Sequence, residues 1–363
     1  MGWSTPGDPV PPHRPDLDAL DDYSAPVKSA VPVSVRASSN EARDGLSPAV
    51  RAAVTARLET VNRYPQLGGG DLAATIATHL GAAPEEVVAA DGALSLLNYV
   101  LLAHCRPGSR VVHAWRSYEA YPICVRTAGA EPVGVPTTPA GAHDLAAMAA
   151  AVDEHTAAVV VCTPNNPTGA ALTHTEVAGL LAGLPPHVLV VLDEAYADFV
   201  DPDASDPVRA RELLAAYPQL VVLRTFSKAY GLAGLRVGYA VAAPPVVRAV
   251  RKILPPFAVN ALAEVAVAAA LGDPAHRDAI VAEVRAQRAE VERLVADHGV
   301  PVVPSQANFV WLPLGAASAE LGRLCAEQGV STRVFAGEGI RVSVGEPELP
   351  ARLAAALGSF RAS

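Results

Sequence analysis

The 363 residues are 51% apolar and 18% charged, enough to bury the core of a chain with a large and a small lobe. A net charge of −9, with no cluster of lysine and arginine, argues against nucleic acid or an anionic membrane surface as a main partner. The longest apolar runs, at 157–162 and 188–192, fall far short of the roughly 20 residues that a membrane span needs.

Residues 1–22 carry prolines and acidic side chains where a secretion signal needs a basic start and an apolar run, and they read as a flexible tail. Residues 23–44 read as an N-terminal arm joining the smaller domain. Helices are expected at 51–60, 70–80 and 93–103. Strands follow at 110–114, 132–135, 157–162, 188–192, 220–223 and 237–241. Turn signals separate them, among them Pro107-Gly108 and Pro164-Asn165-Asn166-Pro167-Thr168-Gly169. This alternation predicts an α/β domain over 45–255, a mostly parallel sheet sandwiched by helices. From 256 to 363, helices at 258–271, 274–297, 316–327 and 349–360 mix with strands at 307–312, 330–334 and 340–344. That is a smaller α+β domain. Cys105, Cys124, Cys162 and Cys325 are scattered without a C-x-x-C pair, so neither a disulfide framework nor a metal site is expected, and a reducing cytoplasm fits.

Three polar clusters follow three buried apolar runs: Asn165, then Asp193-Glu194-Ala195-Tyr196, then Thr225-Phe226-Ser227-Lys228. Ligands of open α/β sheets sit outside the carboxyl ends of the strands, so all three clusters can meet in one cleft. A deprotonated lysine there can form a Schiff base with an aldehyde. If the aldehyde is that of pyridoxal 5'-phosphate (PLP), Asp193 would keep the pyridine nitrogen protonated, because an adjacent anion favours the charged form. Asn165 and Tyr196 would hydrogen-bond the phenolate oxygen. Gly92, Ala93 and Leu94 at a helix start offer backbone N–H groups to a phosphate, with Thr225, Ser227 and Arg236 adding donors. Singly, each residue has an ordinary explanation; Asp193, for instance, suits a helix N-cap.

Asn165-Asn166-Pro167-Thr168-Gly169, Asp193-Glu-Ala-Tyr196 and Ser227-Lys228-Ala-Tyr-Gly-Leu-Ala-Gly-Leu-Arg236 together resemble the ordered signature of fold type I PLP-dependent aminotransferases. Asn62-Arg-Tyr-Pro65, the block from Trp115 to Pro122 and the block from Pro304 to Pro313 are similar to the histidinol-phosphate aminotransferase branch, nearest its aromatic (phenylalanine) members. The resemblance implies a ping-pong exchange of an amino group between an L-amino acid and a 2-oxo acid. In it, Lys228 is both Schiff-base lysine and proton shuttle. It also implies that Tyr118 stacks on the cofactor ring and that Arg341 clamps the substrate α-carboxylate. Arg333 and Asn40 would line the substrate side, and Tyr23 would cap it. Tyr64 would reach the cofactor phosphate of a neighbouring subunit, making a homodimer.

The chain departs from the family pattern at Ser39-Asn40-Glu41-Ala42-Arg43-Asp44-Gly45, where Asp44 takes a place commonly aromatic. Asp44 is therefore expected to greet a polar or cationic side chain, as a specialised biosynthetic enzyme would need. Two other reactions remain open from the sequence: transamination of histidinol phosphate, and decarboxylation on the same fold.

Overall fold

The computed structural model describes residues 31–360 together with Arg14, Pro15, Asp18 and Leu20. Most of the expected tail, and Tyr23, lie outside the described residues. In chain order the first half holds β1 (Val35–Arg36), α1 (Pro48–Leu58), α2 (Gly70–Leu80), β2 (Val87–Ala90), α3 (Ala93–His104), β3 (Arg110–Trp115), α4 (Ala120–Thr127), β4 (Glu131–Pro136), α5 (Leu145–Ala150) and β5 (Thr156–Cys162). Next come α6 (His174–Gly183), β6 (Leu189–Asp193), α7 (Ala210–Ala216), β7 (Leu220–Thr225), β8 (Gly238–Ala242), α8 (Pro244–Arg251) and α9 (Ala261–Leu271). The chain ends with α10 (Pro274–Asp297), β9 (Phe309–Leu312), α11 (Ser318–Glu327), β10 (Val330–Ser331), β11 (Arg333–Phe335), β12 (Gly339–Ser343) and α12 (Leu349–Ser359).

Seven strands form the main sheet in the order β2-β8-β7-β6-β5-β3-β4. From β7 to β4 they run parallel, and β8 runs antiparallel to both of its neighbours. Helices cover both faces, which is why β5 and β6 read as unbroken apolar runs. Alternation along β5 sends Val159 and Val161 toward α5, α6 and α7, and Ala158, Val160 and Cys162 toward α3, α4 and α8. Each fully buried valine or leucine contributes about 1.5–3 kcal/mol relative to exposure.

A second sheet, β11-β12-β9, is antiparallel. It shares a core with α10, α11 and α12 through Phe309, Val342, Val284, Leu321 and Leu353. The chain segment leading to the main domain starts here. Val35 pairs with Val330, and the Ser343 N–H donates to the Ala37 carbonyl at 2.8 Å. Ser47 then caps α1, accepting from the Val50 N–H at 3.3 Å.

Three local differences from the sequence reading have physical causes. β2 has no expected counterpart, because Val87-Val88-Ala89-Ala90 is short, wholly buried and without alternation. The strand expected over 330–334 is two strands: Val330 pairs with β1 while Arg333 pairs with β12, so Thr332 lies between two sheets. The helix expected from 258 starts at Ala261, where the Asn260 side chain accepts from the Ala263 N–H at 2.9 Å and fixes the first turn.

Candidate active site

The carboxyl ends of β2, β3, β5, β6 and β7 share one edge of the main sheet, where antiparallel β8 begins. A cavity of about 410 Å³ lies beyond that edge. Ser38, Ser39, Asn40, Glu41, Arg333 and Arg341 line it from the second lobe's side. A larger hollow of about 920 Å³ opens at the opposite edge, by Arg110, Thr156, Leu189 and Gln219 where the strands start. No lysine lines it, and it lies at the end of the sheet that open α/β folds do not use for ligands.

Lys228 enters the cavity from the loop after β7. That loop closes on itself: the Phe226 N–H donates to Val237 O at 3.3 Å, Leu232 N–H to Phe226 O at 3.0 Å, and Gly231 N–H to Lys228 O at 3.1 Å. The Lys228 Nζ donates to the Ser39 carbonyl at 3.2 Å. The side chain is half-buried among the residues that line the cavity. Burial lowers its pKa to about 8, with the nearby Arg341 charge adding to the effect. A fraction of the amine is therefore neutral, and nucleophilic, near physiological pH.

Arg236 leaves the same loop with a left-handed backbone, φ 50°, and lines the cavity beside the start of α3. Gly92, the N-cap of that helix, has φ 117° and no capping side chain, so the first turn of α3, whose Ala93 and Leu94 line the cavity, carries N–H groups that no side chain caps. A β-carbon at Gly92 would stand 3.0 Å from Arg236 Nη2. Gly238 of β8 serves the same approach, since a β-carbon there would sit 2.5 Å from the Ala93 nitrogen. Thr225 and Ser227 complete this end of the cavity, and the Thr225 Oγ1 accepts from the Ser227 N–H at 3.1 Å. Helix terminus, guanidinium and hydroxyls together make an anion cradle.

At the other end, Asp193 closes β6. It shares the face of Leu189 and Val191, the one covered by α4, so it meets Tyr121. The Tyr121 hydroxyl donates to Asp193 Oδ2 at 2.8 Å, and the Ala195 N–H donates to Oδ1 at 3.1 Å. Burial raises the Asp193 pKa while these two donors pull it down. A buried carboxylate in this position favours a cation beside it. Tyr196 accepts at its hydroxyl from Asn40 Nδ2 at 3.0 Å, and burial pushes that hydroxyl well above the usual tyrosine range. Tyr118 lines the cavity and meets Tyr121 edge-on at 5.7 Å between ring centres.

The structure therefore brings Ala93, Leu94, Tyr118, Asp193, Tyr196, Thr225, Ser227, Lys228, Arg236, Asn40, Arg333 and Arg341 to one cavity, with Gly92 directly behind. It does not bring Asn165. The Asn165 Nδ2 donates to Arg116 O at 3.2 Å and to Thr168 Oγ1 at 2.8 Å, while Oδ1 accepts from Ser117 Oγ at 2.7 Å and contacts His143 Nε2 at 3.1 Å. Backbone bonds to Ala170 and Gly169 tie Asn165 into the base of the turn, leaving Asn166 at the cavity. The Asn166 Oδ1 accepts from Arg341 Nη1 at 2.5 Å.

Asp44 is also corrected. The chain turns at Asn40, which has φ 53°, so Glu41 reaches the cavity whereas Asp44 stands outside it, its carboxylate 4.0 Å from Arg43 Nη1. Tyr64 does not line its own chain's cavity; it is 80% exposed and stacked on Phe257 at 4.6 Å. Asn166 and Tyr121 are the residues that the sequence reading missed. Asn166 carried a usable signal, its place directly before Pro167, whereas Tyr121 carried none because its facing depends on how α4 docks.

Residues 34–357 match the family described as aminotransferase class I and II. The aromatic amino acid aminotransferase of Rhodococcus jostii is 44% identical over 338 residues, spanning 93% of each chain. That of Thermobifida fusca is 44% identical over 342 residues, spanning 94% of this chain and 92% of its own. In structure, the histidinol-phosphate aminotransferase of Sinorhizobium meliloti, in complex with PLP, superposes with a TM-score of 0.87 at 28% identity, covering 96% of this chain and 97% of its own. A Thermus thermophilus aspartate aminotransferase mutant, with a TM-score of 0.80 at 21% identity and coverage of 96% and 98%, shares the fold.

Proposed function

We propose, for a chain that belongs to the class I and II aminotransferase family and so is a PLP-dependent transaminase of amino acids and 2-oxo acids, that the amino acid is aromatic and glutamate is the counterpart donor. The observation that carries the substrate is the likeness to the two aromatic amino acid aminotransferases along more than nine-tenths of the chain. The cavity fits the cofactor by chemistry: an anion cradle at Gly92 and Arg236, a buried carboxylate at Asp193, and an amine at Lys228. When bound, PLP supplies an aldehyde that amines condense with and a ring that draws electrons from the bonds of the substrate Cα.

The residues then divide the work. Ala93, Leu94, Ser227, Thr225 and Arg236 would hold the phosphate, and Tyr118 would pack on the ring. Asp193 would keep a proton on the pyridine nitrogen, with Tyr121 holding the carboxylate in place. Asn166 and Tyr196 would serve the phenolate oxygen. Arg341 takes the substrate α-carboxylate as a bidentate fork. A neutral Lys228 Nζ would take the proton from the substrate Cα and later return one. The four cysteines of the described chain are free thiols, which suits a cytoplasmic setting.

The test is a half-reaction panel on the PLP-loaded protein with phenylalanine, tyrosine, histidine, arginine, glutamate and histidinol phosphate, reading the oxo product, pyridoxamine phosphate and carbon dioxide. Phenylalanine and tyrosine are expected to give the highest kcat/KM among the non-glutamate amines. A preference for histidinol phosphate would replace the substrate, and carbon dioxide release would replace the reaction.

A second copy of the chain completes the site in this reading. Tyr64 is surrounded in sequence by Leu58, Val61 and Leu67, each more than half exposed. A second copy covering this face would bring its Tyr64 hydroxyl to the phosphate cradle. Tyr64→Phe is expected to leave the protein dimeric by light scattering and to weaken PLP binding about tenfold, the worth of one hydrogen bond to a charged group. Unchanged affinity, or a monomeric wild type, would refute the shared site.

A further inference from the structure

We propose that Glu119 is a specificity-determining residue whose carboxylate competes with acidic substrate side chains for Arg333, and so sets how strongly the cavity prefers neutral amino acids. This rests on the reading above, in which Arg341 receives the α-carboxylate.

Arg333 and Arg341 are direct cross-strand partners in the β11–β12 register, and both line the cavity. Two like charges placed opposite one another on a sheet repel, and both arginines are more than nine-tenths buried. The structure treats them differently. Arg341 donates through Nη1 to Asn166 Oδ1 and through Nη2 to the Ser38 carbonyl, both neutral oxygens at 2.5 Å. Arg333 instead gives Nη2 to both carboxylate oxygens of Glu119, at 3.0 and 2.8 Å. Glu119 comes from the far side of the site: it directly follows Tyr118 and precedes α4. Its carboxylate therefore spans from the main domain to β11.

The consequence lies at the substrate end. The Arg333 guanidinium is already engaged by the Glu119 carboxylate, and in the reading above Arg341 takes the substrate α-carboxylate. A neutral side chain disturbs none of this. A second anionic group, such as the distal carboxylate of glutamate or a phosphate ester, must displace Glu119 from Arg333 or remain poorly paired in a partly dry site. Either outcome costs affinity.

The experiment compares kcat/KM for glutamate and for phenylalanine in wild type, Glu119→Gln and Arg333→Gln, with the absorption spectrum of bound PLP as control of an intact cofactor site. Glu119→Gln keeps the shape and removes the charge. It is expected to raise the glutamate-to-phenylalanine ratio about tenfold or more, as one charge-assisted hydrogen bond is gained, with the change in KM rather than kcat. Arg333→Gln leaves the Glu119 carboxylate uncompensated at the cavity, and is expected to move the ratio in the opposite direction. In the double variant the gain disappears.

A ratio unmoved by Glu119→Gln, or a gain that survives loss of Arg333, overturns the proposal. If Glu119→Gln does not fold, Arg333→Gln decides alone: loss of both substrates in equal proportion overturns it. Failure of the aromatic reading has a separate signature, a wild type that loads PLP and reacts with glutamate but not with phenylalanine or tyrosine. The ratio is then taken against the best neutral amine of the panel, and the same criteria hold.

Discussion

Lys228→Ala, purified and supplied with PLP, is expected to lose about 10⁴-fold or more in kcat, the scale of removing a covalent anchor and a general base together. Borohydride treatment of the wild type should fix the cofactor to the peptide that carries Lys228, and in the variant it should fix none. The chemistry depends on the amine being neutral when the cofactor arrives. Burial and the Arg341 charge set its pKa at about 8, below the ordinary lysine value of 10.5. The rate of cofactor attachment should therefore rise with pH through about 8 and level off above it. The same shift has a stability side. Between those two values the folded, cofactor-free chain binds fewer protons than the unfolded chain, so its stability increases with pH across that window. Below it the full cost of the buried ammonium remains. Lys228→Met should remove that slope in chemical denaturation at a series of pH values. A pH-independent attachment rate, or a slope retained in Lys228→Met, would show that the amine is not the titrating group.

The parts of the site legible in sequence were those where a strand and its exit coincide. Asp193 follows Val190-Val191-Leu192, and Lys228 follows Val221-Val222-Leu223 by a few residues, so placing the strands placed the side chains. The same logic failed one residue on at Asn165. After Pro164 the chain is a turn, strand parity no longer says which side a residue faces, and hydrogen bonds to Ala170 and Gly169 decide it. Asp44 failed for a related reason, because extending a motif through residues 39–45 assumes an extended chain and Asn40 turns it. Fold class was easier than its edges: β5 and β6 announce themselves by composition, whereas β2 is four apolar residues that pair, among the described residues, with β8. Glu119 and Tyr121 are a third kind of case. Each depends on where α4 docks against β6 and β11, which no local pattern encodes.

Asp193→Asn is expected to cost about 10²–10³-fold in kcat, comparable to removing one preorganised electrostatic partner of the reacting group. Asparagine can keep both contacts that hold this position, with its Oδ1 accepting from the Ala195 N–H and its Nδ2 donating to the Tyr121 hydroxyl oxygen, so the fold should survive. What disappears is the negative charge. In the cofactor-free cavity burial raises the pKa of this carboxyl, and Tyr121 and Ala195 oppose the rise. A protonated pyridine nitrogen beside it would supply the missing counter-charge, so each ion stabilises the other. The variant should accordingly bind PLP through Lys228 and its phosphate cradle but lose the ring's capacity to accept electrons from the substrate Cα. That separates the two roles experimentally. Cofactor should remain fixable to Lys228 by borohydride in Asp193→Asn, whereas exchange of the substrate Cα proton for deuterium should slow by the same factor as kcat. Asp193→Glu, which restores the charge on a longer arm, should recover part of the rate. If proton exchange stays fast while turnover falls, Asp193 acts in product release rather than at the ring nitrogen.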